Sequence, residues 1–106
     1  MRKREAAKSL IKRSGGSYEI KIVFDGEEIT TYCEEASTGI DGMIDDCRKA
    51  LKAFMVYENL IAASDSVAAF CKKEDASLEK ASGTALIETF GEFQRCPLTI
   101  TRKKGE

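Results

Sequence analysis

Carboxylates dominate one stretch of this 106-residue chain. Eight of them lie between Asp25 and Asp46, and no Lys or Arg interrupts the run. A dense field of one sign attracts basic surfaces and speeds association with them. This pattern predicts a contact surface for a basic site on a protein partner, made of Glu27, Glu28, Glu34, Glu35, Asp41, Asp45 and Asp46.

A divalent metal site is the other chemistry that such carboxylates suggest. Asp41 and Asp45 are four positions apart on a predicted helix. However, calcium loops alternate oxygen ligands around a glycine and end in a distal Glu, which the stretch DGMIDDCRKALK does not do. Carboxylates in a first helical turn are already explained by the helix dipole. We therefore predict no metal and no cofactor.

Catalysis has little support in the residue types. The chain contains no His, which removes the commonest general base and any Cys-His or Ser-His nucleophile pair. It has no glycine-rich phosphate loop, and its two SxxK matches, at Ser9 and Ser77, lack the accompanying SDN and KTG motifs. The sequence predicts a protein that is not an enzyme.

Basic residues gather at the two ends and favour a competing site. If the termini lie together, nine cations form a patch for phosphates or an anionic surface. They are Arg2, Lys3, Arg4, Lys8, Lys12, Arg13, Arg102, Lys103 and Lys104. No aromatic residue is interleaved among them, so base stacking is not indicated.

The cysteines bear on the compartment. Cys33, Cys47, Cys71 and Cys96 form no CxxC pair, and without His the usual zinc spacings are absent. The chain shows no export signal and no run of 18 apolar residues. We expect a cytoplasmic protein with no membrane span whose cysteines are buried thiols.

A β-hairpin over 17–34 is the clearest local structure. Asp25-Gly26 is a typical type I′ turn. With that turn, opposite residues have numbers that sum to 51, which places Ile22 opposite Ile29 and Tyr18 opposite Cys33 on a largely apolar face. A slip by one residue would expose that face, so the register is strongly specified.

Helical periodicity follows the hairpin. Apolar residues from Ile40 to Phe54 recur on one face, which predicts a core helix of about 39–62 with Thr38 as its cap. The pattern predicts a short basic helix over about 3–13 and a second short helix restarting after Ser64. Extra apolar residues beside the core stripe leave open a homodimer through helix 39–62.

The last third is less clear. Residues 84–94 fit both helical and strand patterns, with a slight lean to strand, whereas PLTITRK reads as a terminal strand. Together the elements predict one compact α+β domain over 1–106, with frayed basic termini at 1–5 and 102–106. Its antiparallel sheet has three or four strands and packs against the long helix.

Three functions remain open from the sequence. The first is a non-catalytic binding protein whose acidic surface engages a basic partner. In size and charge pattern alone the chain is similar to nucleic-acid-mimicking inhibitors of phages and mobile elements, including some anti-CRISPR proteins. The second is a small module that binds nucleic acid or an anionic surface through its basic termini. The third is a structural or assembly protein that forms a homo-oligomer.

Overall fold

The computed structural model describes residues 17–34 and 39–103 as a five-stranded antiparallel sheet with one α-helix packed against it. The strands lie side by side in the order β2-β1-β5-β4-β3. The elements are β1 (Ser17–Phe24), β2 (Glu27–Glu34), α1 (Ile40–Tyr57), β3 (Ser66–Cys71), β4 (Lys80–Thr89) and β5 (Glu92–Lys103), with a 3-10 turn (Lys73–Asp75) between β3 and β4.

The first hairpin confirms the predicted register. Tyr18 pairs with Cys33 and Ile22 with Ile29. In every pair from Ser17–Glu34 to Phe24–Glu27, the two residue numbers add to 51, as predicted. Asp25 and Gly26 have φ angles of 52° and 80°, as a type I′ turn requires. Turn chemistry and apolar alternation point to the same pairing, so this part of the fold is encoded locally.

The core lies between α1 and one face of the sheet. The helix buries five side chains along its inner stripe: Met43, Cys47, Leu51, Phe54 and Met55. They meet the inward residues of the central strands, including Ile20, Ile22, Leu98 and Ile100. Each fully buried large apolar side chain contributes about 1.5–3 kcal/mol, so this layer supplies most of the stability.

The helix is shorter than the sequence predicts. It ends at Tyr57 and not near residue 62, because Asn59 adopts a left-handed conformation with φ 62°. The Leu60 N–H donates to the carbonyl oxygen of Met55 at 2.8 Å, and the Asn59 N–H donates to that of Val56 at 3.0 Å. These two bonds form a Schellman motif, which terminates a helix with Gly or Asn at this position.

The predicted helical restart after Ser64 is wrong. Residues 66–71 form β3, which pairs with β4 from Ser66–Glu88 to Cys71–Gly83. Val67, Ala69 and Cys71 share the inward face. The short apolar run is compatible with either structure, and pairing with a distant strand decides it.

The sheet is also larger than the predicted three or four strands. Residues 84–94 belong to β4 and β5 and the turn between them, which confirms the lean to strand and gives five strands with β3. The predicted helix over 3–13 and the predicted cap Thr38 lie outside the described residues. Gly39 immediately precedes α1.

Gly83 allows β4 and β3 to approach closely. A Cβ built on Gly83 would overlap the carbonyl oxygen of Phe70 and lie 2.6 Å from the Cα of Cys71. These are backbone atoms, which cannot move aside without displacing β3.

We expect Gly83→Ala to lower the free energy of unfolding by about 2–3 kcal/mol, because the added methyl group forces β3 away from β4. Urea denaturation followed by circular dichroism measures this change. A loss below about 0.5 kcal/mol would show that the close approach of the two strands is not needed for stability.

Candidate functional site

Two tight turns lie at the same end of the sheet. One is Asp25-Gly26 between β1 and β2, and the other is Phe90-Gly91 between β4 and β5. Because β1 and β5 are antiparallel neighbours, the chain leaves β1 where it enters β5. We call residues 25–28 and 90–93 the paired-turn end.

A side chain of β5 binds the first turn directly. The Gln94 carboxamide, oriented so that both its groups are satisfied, donates from Nε2 to Asp25 Oδ1 at 3.2 Å. In the same orientation its Oε1 accepts the backbone N–H of Asp25, also at 3.2 Å. This two-point contact holds the two turns in one fixed arrangement.

The charge of the paired-turn end is entirely negative. Asp25, Glu27, Glu28 and Glu92 are all exposed. Neither 22–28 nor 88–94 contains Lys or Arg, and the nearest following cation is Arg95 on β5. Folding therefore places Glu92 at the same end of the sheet as the carboxylates of the first turn, Asp25, Glu27 and Glu28.

Exposed phenylalanines accompany these carboxylates. Phe90 is 82% exposed and Phe93 is 62% exposed. Phe90 also has φ 53°, a left-handed conformation that a residue with a Cβ adopts at a cost of about 1–2 kcal/mol. Gly, Asn or Asp would suit the position better, and packing does not explain an aromatic ring that is mostly in water. Strained and exposed residues of this kind concentrate at binding sites.

A buried carboxylate anchors the second turn. Asp65, only 7% exposed, accepts the Phe90 N–H on Oδ1 at 3.3 Å. Its Oδ2 accepts the Ala62 N–H at 3.1 Å. Asp65 therefore connects the loop after α1 to the turn that presents Phe90.

We expect Asp65→Asn to lower the free energy of unfolding by about 2 kcal/mol, because an amide has only one oxygen to accept the two N–H groups. Thermal unfolding measures the stability, and hydrogen exchange of the Phe90 and Ala62 amides measures the loss of each bond. Asp75→Asn, an exposed change on the 3-10 turn, is the control and should alter neither amide.

The remaining predicted acidic residues lie elsewhere. Glu34 is at the far end of β2, about 23 Å along the strand from Glu27, and α1 with its three aspartates begins beyond it. Glu35 lies outside the described residues. Asp41 and Asp45 line a groove beside β3, at the opposite edge of the sheet from β2. The fold thus divides the acidic run among separate parts of the molecule.

The helix neutralises part of its own charge. Asp45 Oδ1 is 2.6 Å from Arg48 Nη2, and Asp45 Oδ2 is 3.2 Å from Lys49 Nζ. Hydrogen bonds from Arg48 and then Lys49 hold the pKa of Asp45 below its usual value. A carboxylate already bound to two cations is a weaker attractant for a basic partner than the carboxylates of the paired-turn end.

Asp46 lies beside a pair of buried thiols. The Cys33 and Cys47 Sγ atoms are 3.2 Å apart, and all four cysteines are free. The neighbouring Cys33 thiol, burial and the charge of Asp46 raise the pKa of Cys47. A thiol held in its neutral form is a poor nucleophile, so the surroundings of Cys47 disfavour its reaction as a thiolate.

Of the predicted basic residues that the structure describes, Lys103 is already paired with a carboxylate, and the backbone of Arg102 is held by the residue preceding β4. Lys103 Nζ lies 3.6 Å from Glu19 Oε2. The Arg102 backbone N–H donates to the Glu79 carbonyl oxygen at 2.7 Å. The other seven predicted cations, at 2–13 and 104, lie outside the described residues.

The sequence predictions missed Phe90, Glu92 and Phe93. The available signal was the dipeptide Phe90-Gly91 between two β-friendly runs, which is a weak form of a hairpin turn. The acidic run drew attention to one turn, and nothing in the local sequence indicated that a second turn would lie beside it.

Within 17–34 and 39–103, no group of three or more His, Cys, Asp or Glu side chains could hold a metal ion. Over the same residues, no helix is long and apolar enough to cross a membrane. Comparison with protein-family models, with curated proteins and with solved structures finds no match to this chain.

Proposed function

We propose that this protein acts without catalysis, by binding a basic surface of a protein partner through its paired-turn end. The observation that supports the proposal most is Phe90, which is 82% exposed and held in a left-handed conformation among exposed carboxylates. A strained apolar residue in water lowers stability, so a binding role is the best reason for its presence.

The composition of this end fits an interface. Aromatic side chains are the usual anchors of protein complexes, and they are enriched among the residues whose removal weakens binding most. The surrounding carboxylates, Asp25, Glu27, Glu28 and Glu92, would form a charged rim that steers a basic partner into place. The β-sheet holds both groups on rigid turns, which reduces the entropy lost on binding.

Nucleic-acid-binding proteins present basic surfaces of the required kind. A negatively charged turn end could occupy such a surface in place of phosphates, and its phenylalanines could insert where bases stack. In its most specific form, the proposal is that this protein competes with nucleic acid for the basic surface of a nucleic-acid-binding protein.

Selection from a displayed peptide library on the full chain tests the proposal. We expect selected peptides to combine Lys or Arg with apolar residues, and to bind less tightly at about 300 mM than at about 50 mM salt because screening weakens charge pairing. Nuclear magnetic resonance titration should then shift the amides of 25–28 and 90–93. Selected peptides that are acidic, or that shift only amides far from the paired-turn end, would contradict the proposal.

A further inference from the structure

β3 forms one open edge of the sheet. The Lys72 N–H donates to the Ser82 carbonyl oxygen of β4 at 3.0 Å. Because antiparallel strands alternate the direction of their backbone groups, Ser66, Ala68 and Phe70 also point theirs toward β4. Val67, Ala69 and Cys71 therefore direct their N–H and C=O groups away from the sheet, and no strand among the described residues pairs with them.

The two edges of the sheet differ in their protection. Edge strands of soluble proteins are usually guarded by charges, Pro or bulges. β2, the other edge, carries Glu27, Glu28 and Glu34. The β3 sequence SVAAFC has no charge and no Pro, so nothing in it opposes pairing with another strand.

β3 is complementary to itself in one antiparallel register. With Ala69 opposite Ala69 of a second copy, Val67 lies opposite Cys71. The three residues whose backbone groups point away from β4 then pair with the same three residues of the second copy. Each of these three pairs exchanges two backbone hydrogen bonds, which gives about six. The same register keeps inward side chains on one face of the joined sheet and outward side chains on the other.

Side-chain size fits this register as well. Phe70 is 62% exposed on the outer face, and in the pairing it lies opposite Ala68 of the second copy. A large ring beside a methyl group is a favourable cross-strand neighbour. The contact covers an apolar side chain that the single chain leaves in water.

Charge complements the pairing at both ends. The register places Lys72 of the second copy opposite Ser66. The Ser66 hydroxyl donates to Glu88 Oε1 at 3.1 Å, and Glu88 is the β4 partner of Ser66. The Lys72 side chain can reach across the small serine to that carboxylate, and symmetry repeats this ion pair.

Space beside the edge is also open. A groove of about 510 Å³ lies between α1 and β3, lined by Asp41, Ile44, Asp45 and Arg48 on the helix and by 68–71 on the strand. The helix therefore leaves the edge accessible to a second strand.

We propose that two copies of this chain pair through β3, antiparallel and centred on Ala69, and join their sheets into one. This contact differs from a dimer through the outer face of the helix. It goes beyond the proposed function, because β3 is a different part of the sheet from the paired-turn end. An interface built on six residues per strand is small, so we expect a dissociation constant on the order of 10 µM.

Sedimentation of the full chain from about 1 to about 500 µM tests the dimer across that dissociation constant. Phe70→Lys should weaken dimerisation at least about 10-fold, because it places two added charges beside the axis. Thr99→Lys is the control, since Thr99 lies on the same face of β5, two strands from the β3 edge, and pairs with Ser82 and not with Glu88. It should leave dimerisation unchanged.

Amide hydrogen exchange of the unaltered chain tests the register without a mutation. The amides of Val67, Ala69 and Cys71 should gain protection as the concentration rises, while those of Ala68 and Phe70 should already be protected at low concentration. A chain that stays monomeric at the highest concentration would overturn the proposal. So would a dimer whose Ala69 amide exchanges freely, or one that Thr99→Lys disrupts and Phe70→Lys does not.

Discussion

Reversing Glu27, Glu28 and Glu92 to Lys is expected to weaken binding of a selected basic peptide about 100-fold. The three side chains are exposed on neighbouring turns, and neither 22–28 nor 88–94 contains Lys or Arg. Each reversal replaces an attraction by a repulsion, which weakens the binding free energy by roughly 1 kcal/mol in total at low salt. Because about 1.4 kcal/mol corresponds to a factor of ten, three reversals give about 100-fold. Isothermal titration calorimetry measures the change.

A second triple variant controls for net charge. This variant changes three carboxylates outside the paired-turn end to Lys and alters the total charge by the same amount. The three residues are Glu34, Asp41 and Glu74. We expect the affinity to fall by less than about threefold, because Glu34 is about 23 Å along β2 from Glu27, beyond the Debye length of about 10 Å, and Asp41 and Glu74 lie on other elements. Equal losses in both variants would assign the attraction to overall charge, and a larger loss in the second would move the interface to the start of α1.

Replacing Phe90 with Gly is expected to change stability and binding in opposite directions. Gly adopts φ near 53° without strain, so the free energy of unfolding should rise by about 1 kcal/mol. Loss of an anchoring ring should weaken peptide binding about 30-fold, equivalent to about 2 kcal/mol. Urea denaturation and calorimetry measure the two effects on the same sample.

Two further variants separate the ring from the backbone. Phe90→Asn removes the ring but suits a left-handed position, so it should behave like Phe90→Gly. Phe90→Tyr retains the ring and should preserve both affinity and stability. If Phe90→Gly bound the peptide as tightly as the unaltered chain, the phenylalanine would have no part in the interface.

The division of the acidic run limits what its residues do together. The sequence treats Glu27 and Asp41 as members of one set, whereas Glu27 lies on the β2 edge of the sheet and Asp41 lies beside the opposite edge, β3. Asp45 is bound to Arg48 and Lys49 on its own helix. A prediction from spacing along the chain therefore assigned too much negative charge to the start of the helix. It assigned too little to the turns, because Glu92 is distant in sequence from Glu27 and lies at the same end of the sheet only in the folded chain.

The sequence alone determined the features whose causes are local. The hairpin register followed from Asp25-Gly26 and from apolar alternation, because a two-residue turn permits only one pairing that buries Ile20 and Ile22. The inner face of α1 followed from its 3.6-residue period, which places Met43, Cys47 and Leu51 on one stripe.

Only the tertiary structure decided the rest. Residues 66–71 are a strand because β4 offers them backbone partners, and an uncharged run of six residues has no periodicity strong enough to exclude a helix. The paired-turn end exists because β5 lies beside β1 in the sheet, bringing Phe90 and Glu92 next to Asp25. Contacts between such distant segments depend on which strands become neighbours, and no local pattern of residues specifies that choice.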